Sequence, residues 1–511
     1  MPRFTFTAPC AALALCMPAS AALADVSAAE VWSDWKAMMT SGGYTLSAVE
    51  AASSNGVSVS DMSLTMDLSD ANGQGALTVV FPAIRFVENA DGSVTIELPT
   101  DTTIDVAMAP NSGEAVSFAI DAKVTDPVMT ASGDPDDLTY NYTTAATDLV
   151  MRDLSVDGVG LGPDIASASV TLQDTFYVLT SKTEDLKTLT QTAKIGAVTY
   201  SFDFADPASS DSMDLNGTIR DVAFDGGVDL PPNMDPTDVN ALLNAGFNFG
   251  GTFTTQGGSY DVTFNSRTDG SGTINATSEG AEITTALSPA GLSYALSQRG
   301  VNANMLFTAF PIPVSFATAE VATNVQMPVQ KSNDAQGFAM GVAMQGLTVS
   351  DTLWGIFDPA GQLPRSPANL LLDLTGTGKV LFDYLDPAQA EVMAQAGTAP
   401  GTLDTLALNT LELEAGGARL TGAGAFTFDN DDLVTFGGFP RPQGAVDLML
   451  TGGNTLLDTL VNMGFVPAEQ AMGARMMMGL FAVPGDGPDT LTSRIEVNPE
   501  GHVLANGQRI R

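Results

Sequence analysis

Ile84-Arg85-Phe86-Val87-Glu88, then Asn89-Ala90-Asp91-Gly92, then Ser93-Val94-Thr95-Ile96-Glu97-Leu98, is the stretch that decides the fold. Apolar and polar residues alternate on both sides of an Asp-Gly turn. Period 2 gives each run one dry and one wet face, and the short Gly-containing link joins them as an antiparallel hairpin. Upstream, Val57, Val59, Met62, Leu64, Met66 and Leu68 alternate in the same way, with a bulge near Ser60-Asp61. Downstream, alternation returns at 115–124, 138–142, 167–180, 197–204 and 215–224, and again at 251–255, 260–265, 273–277, 281–287 and 291–296. Gly-, Asp- and Pro-rich links between the runs favour a meander over parallel β/α units.

The expected fold is therefore mainly β: an elongated, curved antiparallel β-meander or sandwich with a few short covering α-helices. Residues 27–39 read as an amphipathic helix, with Val31, Trp35 and Met38 or Met39 at helical spacing and a Ser27/Glu30 capping box. Further short helices are expected through Val239, Leu242 and Leu243, at 351–357 and 387–395, and at 455–463 continuing after Pro467. Thr375-Gly376, Thr421-Gly422 and Thr451-Gly452, with Asn216-Gly217 and Asn506-Gly507, read as strand-ending turns.

The chain opens as a secretory signal. Arg3, an apolar stretch from Ala11 to Leu15 and Ala22-Leu23-Ala24 place the expected cleavage between Ala24 and Asp25. Cys10 and Cys16 both lie in that segment, so thiol chemistry is not expected of the exported chain. The expected organisation is 1–24 signal peptide, 25–232 N-terminal β-rich domain and 233–511 C-terminal β-rich domain, with a soft boundary at Asp229 to Pro236. The expected location is the periplasm.

A formal net charge of -39 argues against nucleic acid as a partner, while 44% apolar residues are too many for a disordered acidic chain. The uncharged stretch 300–319 contains Asn302, Asn304, Pro311 and Pro313 and reads as strand-loop-strand instead of a membrane span.

Several motifs resemble sites, and each fails on its chemistry. His502 is the only histidine and follows a Pro-Glu-Gly turn. Ser33 and Lys36 have Ser-x-x-Lys spacing, but the companion motifs are missing. Gly376-Thr377-Gly378-Lys379-Val380 lacks the first Gly and the hydroxyl of a phosphate loop. Gly158-Val159-Gly160-Leu161-Gly162 opens no helix and reads as a turn.

Two groups carry the candidate site residues. Asp134, Asp136 and Asp137 could supply oxygen ligands to a metal, as could Asp429, Asp431 and Asp432, although neither has EF-hand spacing. Met476, Met477 and Met478 could line an adaptable amphiphile-binding surface, against the plainer reading of a core-facing helix side. No cofactor is expected.

Glu30-Val31-Trp32-Ser33-Asp34-Trp35 with Gly43-Tyr44, the Gly-Asn-Thr-Leu-Leu-Asp run from Gly453, and the closing Gly501-His502-Val503-Leu504-Ala505-Asn506-Gly507 resemble exported bacterial proteins grouped as domain of unknown function 2125. That resemblance implies export and a shared fold and assigns no catalytic residue. More loosely, the long β-rich pattern with short helices is similar to AsmA-like envelope proteins, a group associated with outer-membrane assembly and lipid transport. The expected function is non-enzymatic binding or shielding of an apolar envelope component such as a lipid. An assembly factor engaging another envelope protein is the alternative, and a carboxylate-based hydrolase is a third.

Overall fold

A computed structural model describes residues 26–41, 43–67, 73–110, 114–232, 238–268, 270–386, 389 and 400–511. The expected signal segment lies outside the described residues, as does nearly all of the helix expected at 387–395. The remainder is one antiparallel sheet running from Tyr44–Ser53 to Gln508–Arg509, in which most strands pair with the next and shorter ones, such as Asn248–Thr255 with Gly280–Ser288, pair across an intervening hairpin. Its two end strands do not pair with each other, so among the described residues the sheet stays open. The strand Ser212–Leu230 pairs with both Asn248–Thr255 and Gly258–Ser266, so hydrogen bonding runs unbroken past the expected boundary at 232. Gly291–Phe307 and Phe310–Met327 form a hairpin over the uncharged stretch. Among the described residues no helix is long and apolar enough to cross a membrane.

The central strands are long. Asp137–Val156 has 20 residues, and Lys187–Ala205 and Ser212–Leu230 have 19 each, about 60 Å if fully extended. Each carries one break at mid-length where the alternation changes phase. In Lys187–Ala205 the apolar residues are Leu189, Ala193 and Ile195 before Gly196, then Val198, Tyr200, Phe202 and Phe204 after it. In Ser212–Leu230 they are Met213, Leu215 and Ile219, then Val222, Phe224 and Val228 after Asp221. In Gly291–Phe307 the switch falls at Gly300.

Many of the switch residues are left-handed: Asp61, Asp126, Asp174 and Asp221 have φ of 49°, 51°, 51° and 48°, and Gly300 and Gly346 have 57° and 68°. Only glycine, and to a lesser degree asparagine and aspartate, adopts that conformation at low cost. Pairing is in register on both sides, Ile195 with Val222 and Ala197 with Arg220, so neighbouring breaks align into one crease across the sheet. A left-handed residue inside a strand turns the chain and exchanges the faces of the side chains that follow. The sequence compensates by exchanging its pattern at the same residue.

The apolar side chains consequently stay on one face. Val57 and Val59 before Asp61, and Met62 and Leu64 after it, enter the same core. On this face residues beside the crease are buried: Thr144, Val222, Thr255 and Thr318 are 4–8% exposed. On the other side of the crease Asp61, Asp126, Asp174 and Asp221 are exposed. The sheet therefore folds along the crease toward its apolar face and forms a trough.

A helix, Ala28–Ser41, closes the first end of the trough. Its Ser27/Glu30 capping box forms, with the Ser27 N–H donating to Glu30 Oε2 at 2.9 Å and the Glu30 N–H to Ser27 Oγ at 3.3 Å. Val31 and Trp32 are buried with Phe86, Ile84 and Tyr140, and Trp35 packs edge-on to Phe86. Asp34, on the sheet-facing side of the helix, accepts from Lys187 Nζ at 2.6 Å, Tyr140 Oη at 2.8 Å and Ser181 Oγ at 3.2 Å. Burial, and then the Asp34 charge, push the Tyr140 phenol well above its ordinary range, so it stays a donor.

At the other end two helices, Gly453–Asn462 and Ala468–Phe481, form a hairpin. Gly452 supplies no capping side chain; Asp489 does, accepting from the N–H of Thr455 at 2.8 Å and of Asn454 at 3.1 Å.

Candidate ligand-binding face

Directly paired residues share a face, so register traces the trough floor. On one wall the trace runs Tyr140, Leu179, Gln191, Gly226, Gly251, Thr285, Tyr294, Val325, Met340, Leu374, Leu408, Gly424, Val446, Ile495. On the other wall it runs Leu149, Val170, Tyr200, Gly217, Tyr260, Ala276, Ala303, Phe316, Val349. Following these registers along each strand, no described strand residue on this face from Leu189 to Val497 carries a formal charge. The outer face holds Asp203, Asp214, Asp225, Asp261 and Arg299.

Beyond the N-terminal helix the floor lies open. Tyr260 is 42% exposed, Tyr294 38%, Phe310 41% and Met340 43%. Glycines let aromatic rings lie down on it. A Cβ at Gly217 would stand 2.2 Å from Tyr200 Cζ, one at Gly272 2.7 Å from Phe307 and one at Gly376 2.3 Å from Phe338. Gly217, Gly376 and Gly422 are therefore mid-strand seats for neighbouring side chains, which corrects their reading as turns. Gly452 and Asn506-Gly507 do turn, with φ of 74°, 48° and 80°.

At the C-terminal end the floor runs into an apolar cavity of about 440 Å³ between Leu420, Leu448, Leu450 and the helix residues Met477, Met478 and Phe481. Met477 and Met478 line it, whereas Met476 is 71% exposed and Met472 68%. Met477 and Met478 thus lie on the sheet side of the helix and Met472 and Met476 on its outer side, over which nothing packs among the described residues. Larger depressions of about 580 and 650 Å³ open among polar side chains, including Glu412 and Asp447 in one and Asp101, Asp121 and Lys123 in the other.

The remaining candidates separate. Asp134 and Asp137 are paired ends of a hairpin with Asp136 in its turn, all exposed. Asp429 and Asp432 bind Arg441, at 2.7 and 3.0 Å. Among the described residues no group of three His, Cys, Asp or Glu converges to hold a metal. Lys36 pairs with Glu50 at 3.0 Å. Gly376 to Val380 lie within a strand, and the His502 N–H donates to Asn498 Oδ1 in a turn.

No curated protein and no solved structure matches the chain. Residues 259–499 match the family described as an uncharacterized protein conserved in bacteria (DUF2125), a span that includes the run from Gly453 and leaves out Glu30–Trp35 and Gly501–Gly507. Those residues, which form the open second half of the trough and its helical hairpin, are the part of the chain that belongs to DUF2125.

Proposed function

We propose that this is a periplasmic, non-enzymatic protein that holds the acyl chains of a lipid or similar amphiphile against the trough floor. The observation that carries the reading is the uncharged, half-exposed apolar face, continuous from strand to strand. Folded monomers rarely leave so large an apolar surface in water without a partner for it. Acyl chains suit the floor because they need only dispersion contact and exclusion from water, about 0.8 kcal/mol per buried methylene. The reclined rings of Tyr200, Phe307 and Phe338 leave few side chains standing in their way.

Native mass spectrometry of the protein purified gently from the periplasm, with lipid extraction of the same sample, tests the reading. Stoichiometric apolar adducts are expected. A clean protein mass, with no uptake of fluorescent fatty acid or phospholipid, would refute it.

A further inference from the structure

We infer that the trough discriminates by headgroup charge, accepting zwitterionic amphiphiles and rejecting those whose headgroup is net anionic. This rests on the acyl-binding reading above. The floor offers no counter-ion, so a phosphate drawn onto it would be a buried, unpaired charge; the headgroup must project past a rim. Several described cations near the strand ends are already engaged. Lys182 pairs with Glu184 at 2.8 Å. On the opposite rim Arg152 is held by Asp121 and Asp153, both at 2.5 Å, and Arg267 donates to the Ser209 carbonyl at 2.6 Å.

Over the chain 59 carboxylates face 20 lysines and arginines. On the outer face, Asp203 and Asp214 stand directly opposite each other across two strands near the Asp206 to Asp211 turn. A hydrogen bond shared with Asp203, and after it burial and the Asp203 charge, hold the Asp214 carboxyl above its usual range. With -39 on the chain, a lone phosphate at the rim meets repulsion. The ammonium of an ethanolamine headgroup meets attraction and cancels the phosphate of its own lipid.

The test is exchange. Protein from Asp25 onward is incubated with vesicles of equal phosphatidylethanolamine and phosphatidylglycerol with identical acyl chains, re-isolated, and its lipids quantified by mass spectrometry. Ethanolamine lipid should be recovered in about fivefold excess at 50 mM salt, and the excess should narrow at 500 mM as screening shortens. Asp203→Asn with Asp214→Asn should narrow it at low salt without lowering total lipid. Recovery of both lipids in the vesicle ratio, or an excess of the glycerol lipid, overturns the inference. Recovery of neither overturns the acyl-binding reading beneath it.

Discussion

Gly217→Ala adds one methyl group where Tyr200 rests on the floor. The new Cβ would stand 2.2 Å from Cζ and 2.3 Å from Oη, where carbon contacts normally begin near about 3.5 Å. Both strands are hydrogen-bonded in register through Tyr200 and Gly217, so the ring must yield, rising by about an ångström or rotating off the floor. The expected cost is about 1–3 kcal/mol, as for other insertions into filled space. Gly337→Ala is the control, a strand glycine whose added Cβ meets nothing nearer than the Gly376 carbonyl oxygen at 4.0 Å. It should be neutral or stabilising by about 0.4–1 kcal/mol, through the unfolded chain. Urea unfolding reads both, with Gly217→Ala lowering the midpoint at unchanged slope. Lipid loading should fall with it, since a raised ring obstructs the floor. Equal midpoints for the two variants would refute the account of glycine as a seat for a reclined ring.

Asp34→Asn or Lys187→Met alone leaves a charge buried beneath the N-terminal helix, since the two side chains are 11% and 16% exposed; each should cost about 3–5 kcal/mol. The double variant should cost less than the sum, measured by urea unfolding. At the crease, Asp174→Gly should be tolerated and Asp174→Val should cost about 1–2 kcal/mol, because only the valine resists φ of 51°; thermal unfolding separates them. Asp489→Ala should weaken the helical hairpin by about 1 kcal/mol, seen as faster hydrogen exchange over Gly453–Asn462. Burial alone would raise the Asp489 carboxyl, yet the Thr455 and Asn454 donors hold it below its ordinary value. Its contribution is therefore complete above the unfolded value of about 3.9 and is lost as pH falls through the lower folded value, so acid should loosen the hairpin first in the parent protein.

Alternation was enough to read the β architecture, and local chemistry was enough for several elements. The Asp-Gly hairpin forms with Val94–Glu97 as its return strand, and the helix at Asp351–Phe357 appears where Ser350 caps it. Strand length was not legible in the same way. Residues 138–142 looked like a short strand because the pattern loses phase at Thr143-Thr144-Ala145, yet Asp137–Val156 continues through it. A periodicity search treats a phase change as an end, whereas a left-handed crease makes it a requirement. The signal was present as a lone Asp, Gly or Ala between two out-of-phase runs.

The floor was hidden for a different reason. An apolar face covered by a second layer and one left open have the same alternation, so the pattern does not tell that Tyr260 and Met340 lie open. The methionine helix shows the limit from the other side. Its sequence left both a core-facing side and an open surface in play, and among the described residues nothing packs over Met476.

The central claim is that acyl chains occupy the floor and not the outer face. Val325 and Asn324 are sequence neighbours on opposite faces, paired with Met340 and Gly341 respectively. A chain beginning at Asp25 has no cysteine, so Val325→Cys or Asn324→Cys accepts a single bimane label. Phospholipid brominated in its acyl chain should quench the label at 325 strongly and the label at 324 weakly. Equal quenching at both positions, or stronger quenching at 324, would contradict the account.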